Sequence, residues 1–268
     1  MNRYFLLLVI LLAGCASQYE LLLRSPDADL KYQKAFEFYN AGKYNRAKEL
    51  FGQIVLINRG TARDDSVQYY LGLSQYYGGY YDEAESTFDQ FSQIFPRSPF
   101  TPKARYLRIE CLYGMTYRWE LDQLPTYTAI SVINEFLYDY PDSEFAEDCW
   151  KKLDELNERI EKKSFESAKL YYRIENYRAA AFALRNVLRD NPDNRYREEI
   201  MYYIVAANFR YAINSVSFRQ RERFLTVIDS YYNFVSEYPE SKYIGEVDGM
   251  FRRAQRAIGR DREPEVVE

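Results

Sequence analysis

One helical pattern recurs along this chain and limits its fold to a series of helix pairs. A small or β-branched residue is followed by large apolar residues four and seven positions later, and by proline twelve positions later. The first three positions share one face of an α-helix, and proline ends a helix because it has no amide hydrogen. The pattern predicts the second helix of a pair in four places: Ala84-Phe88-Phe91-Pro96, Ala129-Ile133-Phe136-Pro141, Ala180-Leu184-Val187-Pro192 and Val227-Tyr231-Phe234-Pro239.

A second pattern, Pro-x-Ser/Asn-x-Phe/Tyr, starts at each of these prolines. Serine and asparagine side chains accept hydrogen bonds from the first amides of a helix. The pattern therefore predicts four N-caps of following helices: Ser98, Ser143, Asn194 and Ser241. The aromatic residue two positions later is predicted to pack the next helix onto the preceding repeat, and these residues are Phe100, Phe145, Tyr196 and Tyr243.

The first helix of each pair is marked by regularly spaced tyrosines. A set of six residues recurs after 37 positions, with Tyr32, Ala35, Tyr39, Tyr44, Ala47 and Phe51 matched by Tyr69, Gly72, Tyr76, Tyr81, Ala84 and Phe88. After another 37 residues the two tyrosines of the first helix are matched by Tyr106 and Tyr113. Helix, turn and helix with a small residue, a large residue and proline are typical of the tetratricopeptide repeat.

These patterns predict an all-α tetratricopeptide-repeat superhelical solenoid of about five repeats. The repeats are expected near residues 28–61, 65–98, 102–142, 161–193 and 195–240. An extra helix is expected at 143–160, between repeats 3 and 4, and a capping helix at 241–258. We therefore divide the chain into N-terminal repeats at 28–142 and a C-terminal part at 143–258. Residues 259–268 lack apolar periodicity and are predicted to be disordered.

The N-terminus predicts a lipid anchor. Arg3 precedes an uncharged apolar run at 4–13, which is too short to span a bilayer, because that takes about 20 residues. The run ends in Leu12-Ala13-Gly14-Cys15, which resembles the bacterial lipobox. Residues 1–14 are therefore predicted as a signal peptide, Cys15 as the lipidated (palmitate-bearing) residue and 15–27 as a tether. The two residues after Cys15 are Ala16 and Ser17, and the lack of an aspartate there favours the outer membrane.

Composition argues against several classes of function. The sequence contains no histidine, which excludes Ser-His-Asp and Cys-His catalysis and histidine-liganded zinc. The net charge is −4 with both signs mixed along the chain, so a nucleic-acid interface is not expected. Adjacent carboxylates such as Asp64 and Asp65 point about 100° apart on a helix. We expect no enzyme activity, no cofactor and no metal site.

Two cysteines follow the lipobox. Cys111 and Cys149 lie in helix-like segments with apolar neighbours. Buried free thiols are the favoured interpretation, because cysteine is among the most buried residue types. A disulfide between the two would suit an oxidising periplasm and stays an alternative.

A lipobox followed by about five such repeats resembles the BamD family of outer-membrane protein assembly lipoproteins. The closest local likeness is at 164–194, SFESAKLYYRIENYRAAAFALRNVLRDNPDN, together with the extra helix before it. The resemblance implies a lipid-anchored adaptor on the periplasmic face of the outer membrane. Its implied partners are the barrel-forming core assembly protein, other assembly lipoproteins and C-terminal segments of unfolded outer-membrane proteins. The alternative is another lipid-anchored repeat scaffold that organises a cell-envelope complex.

Two candidate binding surfaces follow from the repeat frame. Equivalent first-helix tyrosines could form a peptide groove, namely Tyr32, Tyr39, Tyr69, Tyr76, Tyr106 and Tyr113. The alternative is that these aromatic side chains pack stacked helices together. Arginines near the C-terminus could dock an acidic partner, namely Arg210, Arg219, Arg221, Arg223, Arg252, Arg253 and Arg256. A solvated helix face is the alternative for most of them.

Overall fold

The computed structural model describes residues 18–260, which form α-helices and turns with no strand in that range. The predicted signal peptide, Cys15 and residues 261–268 lie outside the described residues. None of the helices in the described range has the length and apolar character needed to cross a membrane. In chain order the helices are α1 (18–24), α2 (Ala28–Asn40), α3 (Tyr44–Ile54), α4 (Asp64–Tyr77), α5 (Tyr81–Ile94), α6 (Thr101–Gly114), α7 (Leu124–Asp139), α8 (Ala146–Arg173), α9 (Tyr177–Asp190), α10 (Arg197–Ile213), α11 (Ser217–Glu237) and α12 (Ile244–Arg260).

Successive helices form the predicted hairpins, and the all-α tetratricopeptide-like fold class is confirmed. The turns of three hairpins share one backbone conformation. In each of them, the residue two positions before the second helix has a positive φ. Gly42 (φ 70°) and Gly79 (φ 82°) take this conformation readily, whereas Glu175 (φ 63°) adopts it at the same place before α9. The amide of Lys43 then donates to the carbonyl of Phe38 at 2.8 Å, which closes the end of α2.

The chain divides into two compact units. Unit 1 comprises the described residues up to Tyr117 and Asp122–Leu153, and unit 2 comprises Arg118–Leu121 and the residues from Asp154 onward. The division falls inside α8 and not at the predicted boundary between 142 and 143. The predicted extra helix and the first helix of repeat 4 are one continuous helix, because no proline or glycine interrupts residues 146–173.

The core lies on the predicted stripes. Ala84, Phe88 and Phe91 are fully buried on α5, and so are Ala129, Ile133 and Phe136 on α7. In unit 2 the stripe residues are also fully buried, except for Val187 and Tyr231, which are half-buried. The second helices end two residues before Pro96, Pro141, Pro192 and Pro239, as the missing amide hydrogen predicts.

The serine and asparagine after each proline do not occupy the N-cap position. α6 begins at Thr101 with Phe100 at its N-cap, and α10 begins at Arg197 with Tyr196 there. The predicted N-cap is therefore wrong by about half a turn. The Ser or Asn side chain instead accepts the amide of the aromatic residue two positions on, at 3.3 Å for Ser98, 3.3 Å for Ser143, 2.9 Å for Asn194 and 3.0 Å for Ser241. It orders the turn that carries this aromatic residue.

The predicted tether is partly structured. Residues 18–24 are helical, and Leu22 and Leu23 pack against the core between α2, α3 and α4. The hydroxyl of Tyr19 donates to the carboxylate of Glu49 on α3 at 2.7 Å. Lys31 donates to the carbonyl of Leu23 at 2.9 Å. The described part of the predicted tether is therefore held against the first repeat.

Helices α4 and α5 approach closely at Gly72 on α4, which takes the place of Ala35 in the preceding repeat. A β-carbon built at Gly72 would lie 2.7 Å from the fully buried ring of Phe88. Glycine is therefore required for α4 to approach α5 this closely.

We expect Gly72→Ala to lower the free energy of unfolding by about 1–3 kcal/mol, because the added carbon would force the fully buried ring of Phe88 to shift. Gly52→Ala is the matched control, since Gly52 lies inside α3 with nothing within 4 Å of the added carbon. The control should raise stability by about 0.5–1 kcal/mol. Denaturant unfolding followed by circular dichroism measures both, and equal stability of the two variants would contradict the packing.

Candidate functional site

Four face-to-face aromatic stacks join a repeat to the helix that follows it. In every copy of the proline motif, the terminal aromatic stacks on an aromatic side chain of the preceding repeat's first helix. The ring centroids are 4.6 Å apart for Tyr69 and Phe100, 4.3 Å for Tyr106 and Phe145, 5.3 Å for Phe165 and Tyr196, and 4.2 Å for Tyr202 and Tyr243. The motif is absent after repeat 1, where the guanidinium of Arg63 lies 4.6 Å from the ring of Tyr32 instead.

Three of the six predicted groove tyrosines are therefore engaged in packing between repeats. Tyr69 is only 7% exposed, so it offers almost no surface to a peptide. Tyr106 stacks on Phe145 and also donates its hydroxyl to Asp148 at 3.0 Å. Tyr32 and Tyr106 are half-buried.

The remaining tyrosines lie near the hairpin turns. Tyr39 and Tyr76 each meet the first residue of the following helix edge-on, with 5.7 Å between ring centroids to Tyr44 and to Tyr81. The same contact recurs in unit 2 between Tyr172 and Tyr177, at 5.4 Å. Tyr113 lies on α6 beneath the ammonium of Lys152, 5.3 Å from its ring.

Five tyrosines at these turns form one connected set in unit 1, which we call the tyrosine row: Tyr39, Tyr44, Tyr77, Tyr76 and Tyr81. Tyr44 and Tyr77 stack at 5.2 Å, and Tyr77 contacts Tyr76 at 5.2 Å. Tyr77 is 50% exposed and Tyr81 43% exposed. A cavity of about 660 Å³ borders the row and is lined by Lys43, Tyr44, Arg46 and Tyr77.

The sequence reasoning missed Tyr44, Tyr77 and Tyr81 as site residues. Tyr77 has no tyrosine counterpart in repeat 1, where Asn40 occupies the equivalent position. The available signal was the dense run Tyr76-Tyr77-Gly78-Gly79-Tyr80-Tyr81, which places four tyrosines around one turn.

The predicted C-terminal arginines do not form one surface. Arg221 donates to the carbonyl of Ile258 at 3.4 Å, and the guanidinium of Arg253 lies 4.9 Å from the ring of Phe209. Arg256 donates to the carbonyl of Arg252 at 3.4 Å, and Arg210 is exposed. Arg219 and Arg223 lie elsewhere, at a cavity of about 390 Å³ in unit 2.

The same cavity is lined by two further arginines, Arg178 and Arg185, both on α9. Burial lowers the pKa of Arg185. The sequence reasoning missed both residues, although their spacing of seven positions places them on one helix face. We call the four side chains Arg178, Arg185, Arg219 and Arg223 the arginine pocket.

Comparison with known proteins decides the family. The YfiO family, described as outer membrane lipoprotein, matches residues 25–223, which is well over half of the chain. The chain belongs to the YfiO family. Membership agrees with the resemblance to BamD seen in the repeats, and that prediction is confirmed.

Two curated relatives carry the description outer membrane protein assembly factor BamD. The protein of Caulobacter vibrioides is 22% identical over 205 residues, covering 75% of this chain and 67% of the relative. The protein of Rickettsia prowazekii is 22% identical over 239 residues, covering 89% of this chain and 91% of the relative.

Solved structures with some likeness include the TPR domain of P58(IPK) and the TPR2AB domain of yeast Sti1 in complex with pHSP90. The first has a TM-score of 0.41 at 13% identity, covering 88% of this chain and 67% of that one. The second has a TM-score of 0.39 at 14% identity, covering 85% and 98%. These likenesses are too weak to add to the fold seen in the helices themselves.

Cys111 and Cys149 of this YfiO-family chain are buried free thiols. Burial, assisted by Glu85, raises the pKa of Cys111 to about 12, and burial raises that of Cys149 to about 11. A nucleophilic cysteine needs the opposite shift. In the part of the chain that the structure describes, no group of three His, Cys, Asp or Glu residues is placed to hold a metal ion.

Three tyrosines of unit 1, namely Tyr39, Tyr69 and Tyr76, have raised pKa values and are neutral at physiological pH. Burial raises the pKa of Tyr69 to about 12, and burial together with the charge of Glu110 raises that of Tyr76 to about 12. The pKa of Tyr39 is also raised, first by burial and then by neighbouring tyrosines. Within the row, the hydroxyl groups of Tyr39 and Tyr76 therefore stay uncharged.

These shifts predict a loss of stability at alkaline pH. Unfolded tyrosine loses its proton near pH 10, whereas folded Tyr69 and Tyr76 keep theirs to about 12. The free energy of unfolding should therefore be unaffected by these groups below about pH 10 and fall as the pH rises from there to about 12.

Urea unfolding midpoints measured across this range, with tyrosinate absorbance recorded in parallel, test the shift. Tyr69→Phe cannot ionise and should show a smaller fall than the unsubstituted chain. A midpoint that stays constant while all tyrosines ionise would contradict the buried pKa values.

Proposed function

We propose that this chain is a lipid-anchored adaptor of the outer-membrane protein assembly machinery. In this role it holds the barrel-forming core assembly protein, other assembly lipoproteins and C-terminal segments of unfolded outer-membrane proteins. The observation that carries the proposal is the family match at residues 25–223, together with two relatives that are both outer membrane protein assembly factors.

The proposed location is the periplasmic face of the outer membrane, with Cys15 as the acylated residue. The lipobox residues Leu12-Ala13-Gly14-Cys15 support it, and the family description, outer membrane lipoprotein, agrees with it. Each buried CH₂ of an acyl chain contributes about 0.8 kcal/mol to membrane binding, so several chains hold the protein firmly.

The tyrosine row is the proposed site for unfolded barrel proteins. Rigid aromatic side chains with a hydroxyl at one end bind extended peptides with little loss of conformational entropy. Lys43 and Arg46 line the adjoining cavity and can pair with a terminal carboxylate. A C-terminal segment ending in Phe or Tyr offers both groups at once.

The proposed activity is binding, without catalysis. The absence of histidine from the sequence and the raised pKa of both thiols support this proposal. The exposed aromatic surface and the arginine pocket are features of binding surfaces.

For the tyrosine row we expect Tyr77→Ala with Tyr81→Ala to weaken binding of a labelled barrel-protein C-terminal peptide by roughly tenfold or more, since two exposed aromatic contacts are removed. Fluorescence anisotropy measures the affinity. Tyr138→Ala is the matched control, because Tyr138 is 87% exposed on α7 of the same unit and lies outside the row.

A second double variant, Tyr39→Ala with Tyr76→Ala, changes the more buried members of the row. It tests the peptide groove that the spacing of the first-helix tyrosines predicts. If either double variant remains folded and binds the peptide with full affinity, the row is not the peptide site.

The adaptor role predicts which proteins accompany the chain. Affinity purification in mild detergent should recover the barrel-forming core assembly protein with other assembly lipoproteins. Crosslinking from positions Tyr76 and Arg253 in intact cells should yield substrate and partner products, respectively. Recovery of a different cell-envelope complex in place of the assembly protein would support the scaffold alternative and reject the adaptor role.

The anchor predicts the effect of Cys15→Ser. Without the thiol there is no acceptor for the lipid, so the protein should move from the membrane fraction to the soluble periplasmic fraction. Cys111→Ser is the control and should stay in the membrane fraction. Membrane retention of the Cys15 variant would exclude lipidation as the means of attachment.

A further inference from the structure

The arginine pocket of unit 2 carries more charge than its own side chains neutralise. Four arginines line the cavity from α9 and α11. Glu222 is the one carboxylate among the described residues that line it, and it pairs with Arg219 at 3.2 Å. The lining therefore keeps an excess positive charge of three.

The remaining three guanidinium groups have no carboxylate partner. Within residues 18–260, no carboxylate oxygen lies within 4.0 Å of Arg178, Arg185 or Arg223. Arg185 donates to the side-chain oxygen of Asn208 at 3.1 Å, and the guanidinium of Arg223 lies 4.0 Å from the ring of Tyr211. These contacts position the guanidinium groups of Arg185 and Arg223 without neutralising them.

The pocket is held by a buried polar network beneath it. Asn208 is 5% exposed, and its amide nitrogen donates to the hydroxyl of Ser230 at 2.7 Å. Ser230 in turn donates to the carbonyl of Thr226 at 2.7 Å. The oxygen of Asn208 is therefore oriented toward Arg185, which presets this guanidinium group for a ligand.

Large apolar side chains lie exposed next to the pocket residues in the chain. Phe182 follows Ala181 of the cavity wall and is 65% exposed, and Phe218 precedes Arg219 and is 81% exposed. Val216 is 57% exposed just before α11. Hot spots of protein–protein interfaces are enriched in aromatic residues and arginine, and this surface exposes both. The exposed aromatic residues favour a polypeptide occupant over a free anion, which would leave these rings in water.

We propose that the arginine pocket binds an acidic segment of a partner protein. Two or more carboxylates of that segment pair with Arg178, Arg185 and Arg223 through charge-assisted hydrogen bonds. Apolar side chains of the same segment cover Phe182 and Phe218. This inference rests on the proposed adaptor role in one respect, which is that the ligand of the pocket is a protein.

The carboxylate of Glu222 in the wall argues against a compact dianion such as phosphate, because the two like charges would be brought together. A peptide can place its carboxylates at the three unpaired arginines and leave Glu222 to Arg219. The cavity at the arginine pocket, of about 390 Å³, is also larger than a single anion needs.

The test is direct binding of a fluorescein-labelled dodecapeptide of repeated Glu-Phe-Asp units to the purified full chain, measured by anisotropy at low salt. We expect saturable binding that weakens as salt is added, and little binding of the matched Gln-Phe-Asn peptide. Arg185→Gln with Arg223→Gln should weaken binding at least about tenfold, since each lost guanidinium removes a charge-assisted bond.

The matched control removes the same charge outside the pocket. Arg210→Gln with Arg252→Gln changes two exposed arginines of the same unit and should alter the affinity less than about twofold. Thr226→Glu is a second test that does not weaken the fold, because Thr226 is exposed within α11 and glutamate favours helix. Its carboxylate enters the pocket and should abolish peptide binding.

Equal loss in the control pair would overturn the pocket, and so would full binding by the pocket variants or by Thr226→Glu. Binding of phosphatidylglycerol vesicles or inorganic phosphate, with no binding of the acidic peptide, would overturn the peptide assignment. Each of these results leaves the co-purification experiment unaffected, so a failure of the pocket is distinguishable from a failure of the adaptor role.

Discussion

Face-to-face aromatic stacking between consecutive repeats is the interaction on which this fold depends. Each proline motif places one aromatic ring against a first-helix ring of the repeat before it, with centroids 4.2–5.3 Å apart. Such pairs add about 0.5–1.5 kcal/mol to the free energy of unfolding beyond the area they bury. Repeats contact mainly their neighbours, so these interface contributions set the stability of the array. In each motif, proline ends one helix. The side chain of the following Ser or Asn then accepts the amide of the aromatic residue and so fixes the position of its ring.

This use of aromatic residues divides the tyrosines by position. Those near the start of a first helix, such as Tyr69 and Tyr106, stack between repeats, and Tyr69 has almost no free surface. Those near the hairpin turn lie at the edge of the stack, where Tyr77 and Tyr81 remain exposed. Local repeat geometry therefore separates packing residues from those available to a ligand.

The arginines also fall into two groups, those in ion pairs between helices and those in the arginine pocket. In unit 1, Arg105 pairs with Glu135 and Asp139, and Arg108 pairs with Glu85 and Asp89, which joins neighbouring helices. In unit 2, Arg197 pairs with Glu237. The arginine pocket differs, because two of its four guanidinium groups, those of Arg185 and Arg223, contact neutral partners. Unneutralised charge held in place by buried hydrogen bonds is a property of a binding surface more than of a structural ion pair.

The sequence by itself determined the helices, their ends at proline and the pairing of helices into repeats, because these depend on spacing within one or two turns. It also predicts a lipobox at residues 12–15, and it contains no histidine for histidine-based chemistry. Tertiary structure decided that α8 is continuous across the predicted extra helix, and which tyrosines are buried. Only the tertiary structure shows that Arg178 and Arg185 of α9 lie at the same cavity as Arg219 and Arg223 of α11. In the chain, α10 separates the two pairs. Periodicity predicts which face of a helix is apolar, whereas contacts between polar residues of different helices depend on how those helices pack.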